Sequence, residues 1–332
     1  MKKILIMLLS AALICSASAC AQGGNQNSPE QAQTTSESET TAPEETTAEA
    51  GITPLMWKVT DAEGHTAYML GSAHFADEAI FEMPEYFEKA YSVSDCVAFE
   101  TLGGAASSDD SMIYSDGTTI KDHISEEAYS FAKEILTEQN QYSNNMDKLK
   151  PAAWLNQLES IKKHRSGCFY SVDGSILDRA QSDLKEMVSL ESDETHSSYF
   201  GSQPEDVQEW LFSKEANEEA FNDDSKGKLK YEKWKKGTIT YEDEVPPFEE
   251  LSDAQLDALG EQERTDYVMN KKYVSWLVDV NTKRNREMTE TILKTMSEDK
   301  HLLAVAGVMH FLCENNITEL LREQGCTVEQ YP

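Results

Sequence analysis

Two histidines near opposite ends of the chain stand in closely similar sequence contexts. His74 comes three residues after a glycine that ends the apolar run 66–70, and His310 comes three residues after a glycine that ends the run 302–306. Each run has the length and composition of a buried strand. Glycine at the end of a strand allows a tight turn and a close approach of neighbouring groups. The repeated Gly-x-x-His pattern therefore indicates one site that both ends of the chain build together.

Two glutamates occupy the same kind of position. Glu100 follows the apolar run 96–99, and Glu191 follows the apolar run 187–190. In open α/β sheets, ligands bind at the edge where the carboxyl ends of the strands meet. Two imidazoles and two carboxylates at that edge are suitable ligands for a divalent cation such as Zn, Mn or Co. The alternative for each of the four residues is an ordinary strand-end side chain that faces water.

The elements that must position these side chains alternate between strands and helices, which predicts an α/β fold with a central sheet flanked by helices. The polar, acidic sequence from 195 to 265 predicts an inserted helical layer or lid. The predicted strands are 54–59, 66–70, 96–100, 187–191, 302–306 and 327–330. The predicted helices are 84–91, 125–139, one starting at 151, one starting near 175, 266–297 and 313–324.

The N-terminal residues predict export. Residues 1–19 have a basic start and a short apolar segment, as a signal peptide does. The segment Ala17-Ser18-Ala19-Cys20 resembles a bacterial lipobox, so we expect Cys20 to be lipidated and to anchor the protein in the cell membrane, on its extracytoplasmic face. Ordinary cleavage that releases the protein is the alternative. Residues 20–51, rich in Ser, Thr, Gln and Glu, predict a disordered linker that holds the domain 52–332 roughly 30 Å from the bilayer.

Composition excludes several classes of protein. With 60 acidic and 29 basic side chains, the net charge is −31, which argues against nucleic acid or an anionic membrane surface as a partner. The only membrane contact that we expect is the lipid anchor. The sequence contains no Gly-x-Ser-x-Gly, P-loop, dinucleotide or His-Glu-x-x-His motif. The other histidines, His196 among them, lie in polar segments and are expected to be solvated.

Four cysteines besides Cys20 remain after processing at that residue. An exported location permits disulfides, but the spacing of these residues matches no metal knuckle or redox pair. Cys96 and Cys313 lie in apolar stretches and are expected to be small core residues, whereas no environment is predicted for Cys168 and Cys326. The sequence does not determine any pairing among the four.

The domain resembles the TraB/GumN family, which is similar to the Tiki metalloproteases and more remotely to erythromycin-esterase/ChaN-like proteins. The resemblance covers most of residues 54–330, and its strength lies in the number and order of short matches. These are 54–59, 68–74, 97–100, 149–154, 172–180, 190–191, 234–237, 281–288, 304–310 and 320–328. Both histidines and both glutamates are retained, while Ser72-Ala73 and Val308-Met309 replace the commoner residues between glycine and histidine.

The resemblance implies a sheet made of two pseudo-repeated halves and a metal-dependent hydrolytic site that acts on peptides or small proteins. On this hypothesis His74, His310 and Glu100 bind a divalent cation, Mn, Co or Zn. Glu191 is a further ligand or the general base. Arg284 binds a substrate carboxylate or stabilises an oxyanion, and Asn285 lies beside it on the matching helix. The alternatives are a lipoprotein that sequesters peptides without cutting them and an esterase with a non-peptide substrate.

Overall fold

A computed structural model of the chain describes residues 51–103, 110–245 and 248–332. The predicted signal peptide, the lipidation site at Cys20 and nearly all of the linker lie outside these residues. Within the described ranges, none of the helices combines the length and the apolar composition that crossing a membrane requires.

The described strands form one mixed six-stranded sheet. The strands are β1 Met56–Thr60, β2 Thr66–Ser72, β3 Cys96–Phe99, β4 Glu186–Ser189, β5 Leu302–Gly307 and β6 Thr327–Gln330. Their order across the sheet is β4-β3-β5-β2-β1-β6. Strands β2 to β5 run parallel to their neighbours among themselves, whereas β1 is antiparallel to both β2 and β6. Every residue of β3 and β5 is buried, as expected for parallel strands covered on both faces.

The helices lie on both faces of this sheet and in a separate layer. They are α1 Glu85–Val93, α2 Glu126–Glu138, α3 Pro151–Arg165, α4 Val172–Ser182, α5 Asp193–Gly201, α6 Glu205–Glu215, α7 Glu218–Asn222, α8 Ser225–Lys235, α9 Tyr241–Glu244, α10 Asp253–Asp257, α11 Glu261–Ser297, α12 Met309–Leu312 and α13 Ile317–Glu323. Short 3-10 turns occupy Glu78–Phe81, Asp110–Met112, Ile120–Asp122 and Asn144–Lys148.

Three apolar clusters stabilise this arrangement. One packs α1, α4 and α8 on the sheet around Phe87 and Trp234, and a second packs α11 and α13 on the sheet around Met288. The third holds helices together away from the sheet, around Trp154 and Phe212. Because that third cluster includes residues of α2 and α3, the helical layer is built from the middle of the chain as well as from 195–265.

The predicted α/β fold is confirmed, and the differences from prediction concern element ends. The long helix begins at Glu261 rather than 266, and strand β4 ends at Ser189. The predicted helix 313–324 is wrong in its first third, residues 313–316. There, α12 ends at Leu312, and α13 starts only after Asn316, whose side chain caps it by accepting from the Glu319 N–H.

The two strands with the Gly-x-x-His pattern are direct neighbours, but they are not equivalent. Strands β2 and β5 pair in parallel, with Ser72 opposite Gly307. His74 leaves β2 in an irregular loop, whereas His310 lies in α12. The same sequence pattern therefore places its two histidines through different backbone conformations.

Candidate active site

The carboxyl ends of β2, β3 and β5 bring three predicted residues together. Strand β5 lies between the other two, so Gly307 at its end sits between His74, which follows β2, and Glu100, which follows β3. The Glu100 Oε1 atom lies 3.9 Å from His74 Nε2 and 3.7 Å from His310 Nε2. Both imidazoles thus present the same ring nitrogen to one carboxylate oxygen.

Gly307 is the residue that makes room at this point. Its N–H donates to Glu100 Oε1 over 2.6 Å, which fixes the carboxylate against the strand end. A Cβ at this position would lie 3.1 Å from His74 Nε2 and 3.2 Å from Glu100 Oε1. Any side chain would therefore fill the space between the ligand atoms. The other glycine of the repeated pattern, Gly71, has a packing role, because a Cβ there would lie 2.8 Å from Val308 Cγ2.

The ring of His310 is held by Asn285 on α11. The Asn285 amide group donates to Asn315 O over 3.0 Å and lies 3.3 Å from Cys313 Sγ, so its oxygen faces His310 Nδ1 at 2.6 Å. This pattern assigns the proton of the neutral ring to Nδ1 and leaves a lone pair on Nε2, toward Glu100. Burial, together with the nearby Arg284 cation, lowers the pKa of His310 to about 4, so the neutral ring is the stable form.

The ring of His74 has a carboxylate on its far side. His74 Nδ1 lies 3.0 Å from Asp173 Oδ1, an ion-pair distance, although the two atoms are not aligned as a hydrogen bond. The backbone brings Asp173 there because the Val172 N–H donates to Ala73 O at the start of α4. Burial alone lowers the pKa of His74, but the attraction of Asp173 and Glu100 outweighs it and raises the pKa. Sequence reasoning noted Val172-Asp173-Gly174 only as a family match and missed this contact.

Arg284 joins the two predicted carboxylates. Its Nη2 donates to Glu100 Oε2 over 2.7 Å and to Glu191 Oε1 over 2.5 Å, and its Nε lies 2.9 Å from Glu191 Oε2. Arg284 and Glu191 are both buried. Burial raises the pKa of Glu100, but Arg284 and the two histidines outweigh this and hold it far below its usual range. The pKa of Glu191 is also lowered, because hydrogen bonds from His196 and Arg284 outweigh its burial.

His196 was expected to be solvated, and that expectation is wrong. His196 lies on α5, and its Nδ1 is 2.8 Å from Glu191 Oε1. The backbone pairing of β4 with β3 continues through the N–H groups of Leu190 and Glu191, and this pairing places the following helix, α5, beside the site. Ligand atoms of Glu100, Glu191 and His196 all lie within 4.8 Å of one another, so these three residues are also possible metal ligands. The position of His196 in a polar, acidic segment did not indicate that this residue contacts Glu191.

The residues around Gly307 have the chemistry of divalent-cation ligands, and two of the three distances between them suit a shared ion. His74 Nε2 and Glu100 Oε1 border the space that a Cβ at Gly307 would fill, and the nearest His310 atom there is Cδ2, at 3.9 Å. Two ligand atoms that share one ion at about 2.1 Å lie at most about 4.2 Å apart. The distances from Glu100 Oε1 to both Nε2 atoms are below this limit. Among the described residues, however, His74, His310 and Glu100 do not form a set whose ligand atoms all lie within 4.8 Å of one another, so the two imidazoles would have to approach each other to share one ion. Asp173 and Asn285 make contacts with His74 and His310 of the kind that orient histidines in metal sites.

The four cysteines of the domain are free and buried. Cys96 and Cys313 are core residues, as predicted, and Cys168 and Cys326 are buried as well. The Cys313 thiol is 3.3 Å from the Asn285 amide, and burial raises its pKa to about 11, so it supports the site as a neutral group.

The fold and the site define the class of protein: an α/β domain with a histidine and carboxylate cluster at the carboxyl edge of its parallel strands. Over residues 55–330 the chain matches the profile of the TraB/PrgY/gumN family. The chain therefore belongs to the TraB/PrgY/gumN family. Comparisons with curated proteins and with solved structures gave no match.

The structure brings all six predicted site residues to one edge of the sheet, but their chemical roles remain predictions. His74, His310 and Glu100 face one another, and Asn285 contacts His310. Arg284 and Glu191 contact each other, so in this structure both are occupied by partners. A role for Glu191 as ligand or base requires its release from Arg284 and His196.

Proposed function

We propose that this chain is a metal-dependent hydrolase that cleaves peptides or small proteins on the extracytoplasmic side of the cell membrane. The observation that carries the proposal is the approach of two imidazole Nε2 atoms to one oxygen of Glu100, around a glycine that leaves the space between them open. The family assignment agrees with the proposal but specifies neither a reaction nor a substrate.

In this proposal His74, His310 and Glu100 hold the cation, which is Mn, Co or Zn. A divalent cation in such a site polarises a carbonyl group and lowers the pKa of water. Asp173 and Asn285 keep the Nε2 atoms of the two imidazoles directed at the cation, and Gly307 keeps the space open for it.

Arg284 and Glu191 act as a pair beside this centre. Arg284 keeps Glu100 ionised by donating to Oε2, which leaves Oε1 to face the histidines. Glu191, buried and bound by Arg284 and His196, holds the guanidinium in place. We therefore favour a positioning role for Glu191 over the predicted role as a further ligand or general base.

The proposal is tested by metal content and by cleavage of a peptide library. Purified protein should contain about one equivalent of a divalent metal by mass spectrometry, and a chelator should abolish cleavage. His74→Ala and His310→Ala should each lose metal and cleavage, whereas His301→Ala should not, because His301 is exposed and pairs with Asp95 far from the site. A metal-free protein, or cleavage that survives both histidine variants, would refute the proposal.

A second candidate is a protein that binds peptides without cutting them. It is favoured by one observation: both carboxylates of the site already have a cationic partner in Arg284. On this hypothesis the purified protein contains no metal, and His74→Ala leaves peptide affinity unchanged. An esterase with a non-peptide substrate would share the metal dependence and would differ only in which library it cleaves.

The location is proposed from the sequence of residues 1–51, namely the predicted signal peptide, Cys20 and linker. Cys20→Ser should move the protein from the membrane fraction to the soluble exported fraction, without changing its activity. Recovery of Cys20→Ser in the membrane fraction would contradict the lipid anchor.

A further inference from the structure

A second cavity adjoins the candidate active site. It shares His74, Gly307 and Met309 with the space in front of Glu100 and Arg284, and it extends from there toward α8. Its volume is about 130 Å³. A molecule in this cavity would therefore lie directly beside the atoms that face the proposed cation.

The inner wall of the cavity is apolar. Phe75, Trp234, Ile239, Val308 and Met309 line it, and three of them are almost fully buried. The indole N–H of Trp234 donates to Gly71 O over 2.8 Å, so its polar group is satisfied elsewhere and the ring remains as apolar surface. Such a surface is suited to a large apolar side chain.

The rim of the cavity is charged but balanced. It carries four lysines and four acidic side chains, so their formal charges cancel, whereas the whole chain has a net charge of −31. One opposite pair, Lys230 with Glu244 at 3.4 Å, lies at the boundary with the active site. The rim therefore offers no net attraction to a charged group, and the apolar wall determines what binds.

One polar group of the wall has no partner. The hydroxyl of Ser72 is buried at the end of β2 and forms no hydrogen bond within the described part of the chain. A buried hydroxyl without a partner is unfavourable. The hydroxyl oxygen has almost no accessible surface, so a peptide amide in the cavity would reach it only after the side chain of Ser72 turned toward the cavity.

We propose that this cavity is the pocket that selects the substrate, and that it takes a large uncharged side chain, such as Phe, Leu or Met, next to the bond that is cleaved. This inference rests on the proposed hydrolase function. It adds a substrate class, namely peptides with a bulky apolar residue beside the scissile bond.

Gly227 gives a direct way to close the pocket. It lines the cavity from α8, and a Cβ there would meet only Phe75, at the ordinary contact distances of 3.5 and 3.6 Å. Gly227→Leu should therefore fill the cavity without displacing the backbone, and Gly227→Ala should fill it partly while favouring the helix. Leu229→Gln is the matched control, because Leu229 lies on the same helix but is exposed.

The experiment compares two peptides that differ only in having Phe or Ala at the varied position. Wild type should cleave the Phe peptide at least about tenfold more efficiently, as kcat/KM, which is a typical selectivity of an apolar pocket. Gly227→Leu should reduce the ratio to less than about threefold, Gly227→Ala should give an intermediate ratio, and Leu229→Gln should retain the wild-type ratio. Circular dichroism and thermal melting check that each variant is folded.

Equilibrium binding of both peptides to chelator-treated protein separates this inference from the hydrolase proposal. Selective binding of the Phe peptide that is lost in Gly227→Leu, without cleavage by metal-loaded wild type, would support the pocket and refute the hydrolase. Cleavage with no Phe preference, or a preference that persists in folded Gly227→Leu, would refute the pocket alone. Neither selective binding nor cleavage would refute both.

Discussion

The contact between Asn285 and His310 gives the sharpest prediction. Asn285 is fully buried, accepts from His310 Nδ1 at 2.6 Å and donates to Asn315 O at 3.0 Å. Asn285→Leu preserves the approximate size of the side chain and removes both hydrogen bonds. His310 Nδ1 is then buried without a partner, whereas Asn315 is exposed and its carbonyl can bind water, so the change should cost about 1–3 kcal/mol of unfolding free energy.

The effect on the proposed metal site is separate from this loss of stability. Without Asn285 the His310 proton is no longer held on Nδ1, and the ring can turn its protonated nitrogen toward Glu100. Loss of such an outer contact typically weakens metal binding by about 10- to 100-fold, or about 1.4–2.8 kcal/mol. Metal affinity can be measured by competition with a chromogenic chelator, and the tautomer by nitrogen NMR of metal-free protein. Wild type should show a proton on His310 Nδ1.

Two further variants make the test specific. Thr289→Val removes a buried hydrogen bond one turn later on the same helix, from Thr289 Oγ1 to Asn285 O at 2.7 Å, and should leave metal affinity unchanged. Asn285→Asp keeps an acceptor for His310 but loses the donor to Asn315, so it should be destabilised and yet keep the Nδ1 tautomer. If Asn285→Leu binds metal as tightly as Thr289→Val, or shows the wild-type tautomer, our assignment of Asn285 is wrong.

Three other perturbations test the site and its surroundings. Gly307→Ala should lose at least about tenfold in metal affinity, because its Cβ would lie against His74 and Glu100. Gly71→Ala should instead lose about 1–3 kcal/mol of stability through its contact with Val308. Chelator competition and urea unfolding would show the reverse pattern if these roles were misassigned. Arg284→Met should destabilise the fold by about 3–5 kcal/mol at pH 7, because the Glu100 and Glu191 carboxylates lose their cation. The loss should be smaller at pH 5, where these carboxylates can protonate. Equal losses at both pH values, measured by urea unfolding, would contradict this prediction. Burial and the nearby Glu159 raise the pKa of Glu215 from 4.5 to about 7, so its stabilising effect is present below about pH 4.5 and is lost as the pH rises through 7. Glu215→Gln should therefore be more stable than wild type by about 2 kcal/mol at pH 8, a value that is reduced because Glu215 is partly exposed, and equally stable near pH 4.5. A difference in stability that stays constant between these pH values would contradict the raised pKa of Glu215.

The sequence predicted the parts of the site that depend on strand periodicity. Apolar runs that end in Gly or Glu identified β2, β3 and β5 and the strand-end positions of His74, Glu100 and His310. Side chains at the ends of parallel strands converge because the sheet aligns those ends. This geometric rule needs no knowledge of the helices, so it could be applied before the fold was known.

The contacts that orient these residues could not be predicted in the same way. Asp173 and His196 lie on helices whose polar sequence is typical of a solvated surface, and each reaches the site through long-range backbone pairing. Arg284 and Asn285 were noted only through the family resemblance, although Arg284 lies four residues from both Val280 and Met288 and so falls on the apolar face of the long helix. Which face of α11 is buried depends on how α13 and the helical layer pack against it.

We expect a cation bound at the two histidines to be divalent, because the charges around them do not cancel. Glu100, Glu191 and Asp173 contribute three negative charges, and Arg284 contributes one positive charge, so two negative charges remain when both imidazoles are neutral. Uncompensated charge in a buried site is costly. The raised pKa of His74 shows that a proton on this ring is one source of compensation. A divalent cation between the Nε2 atoms would balance both charges at once, whereas a monovalent cation would leave one uncompensated.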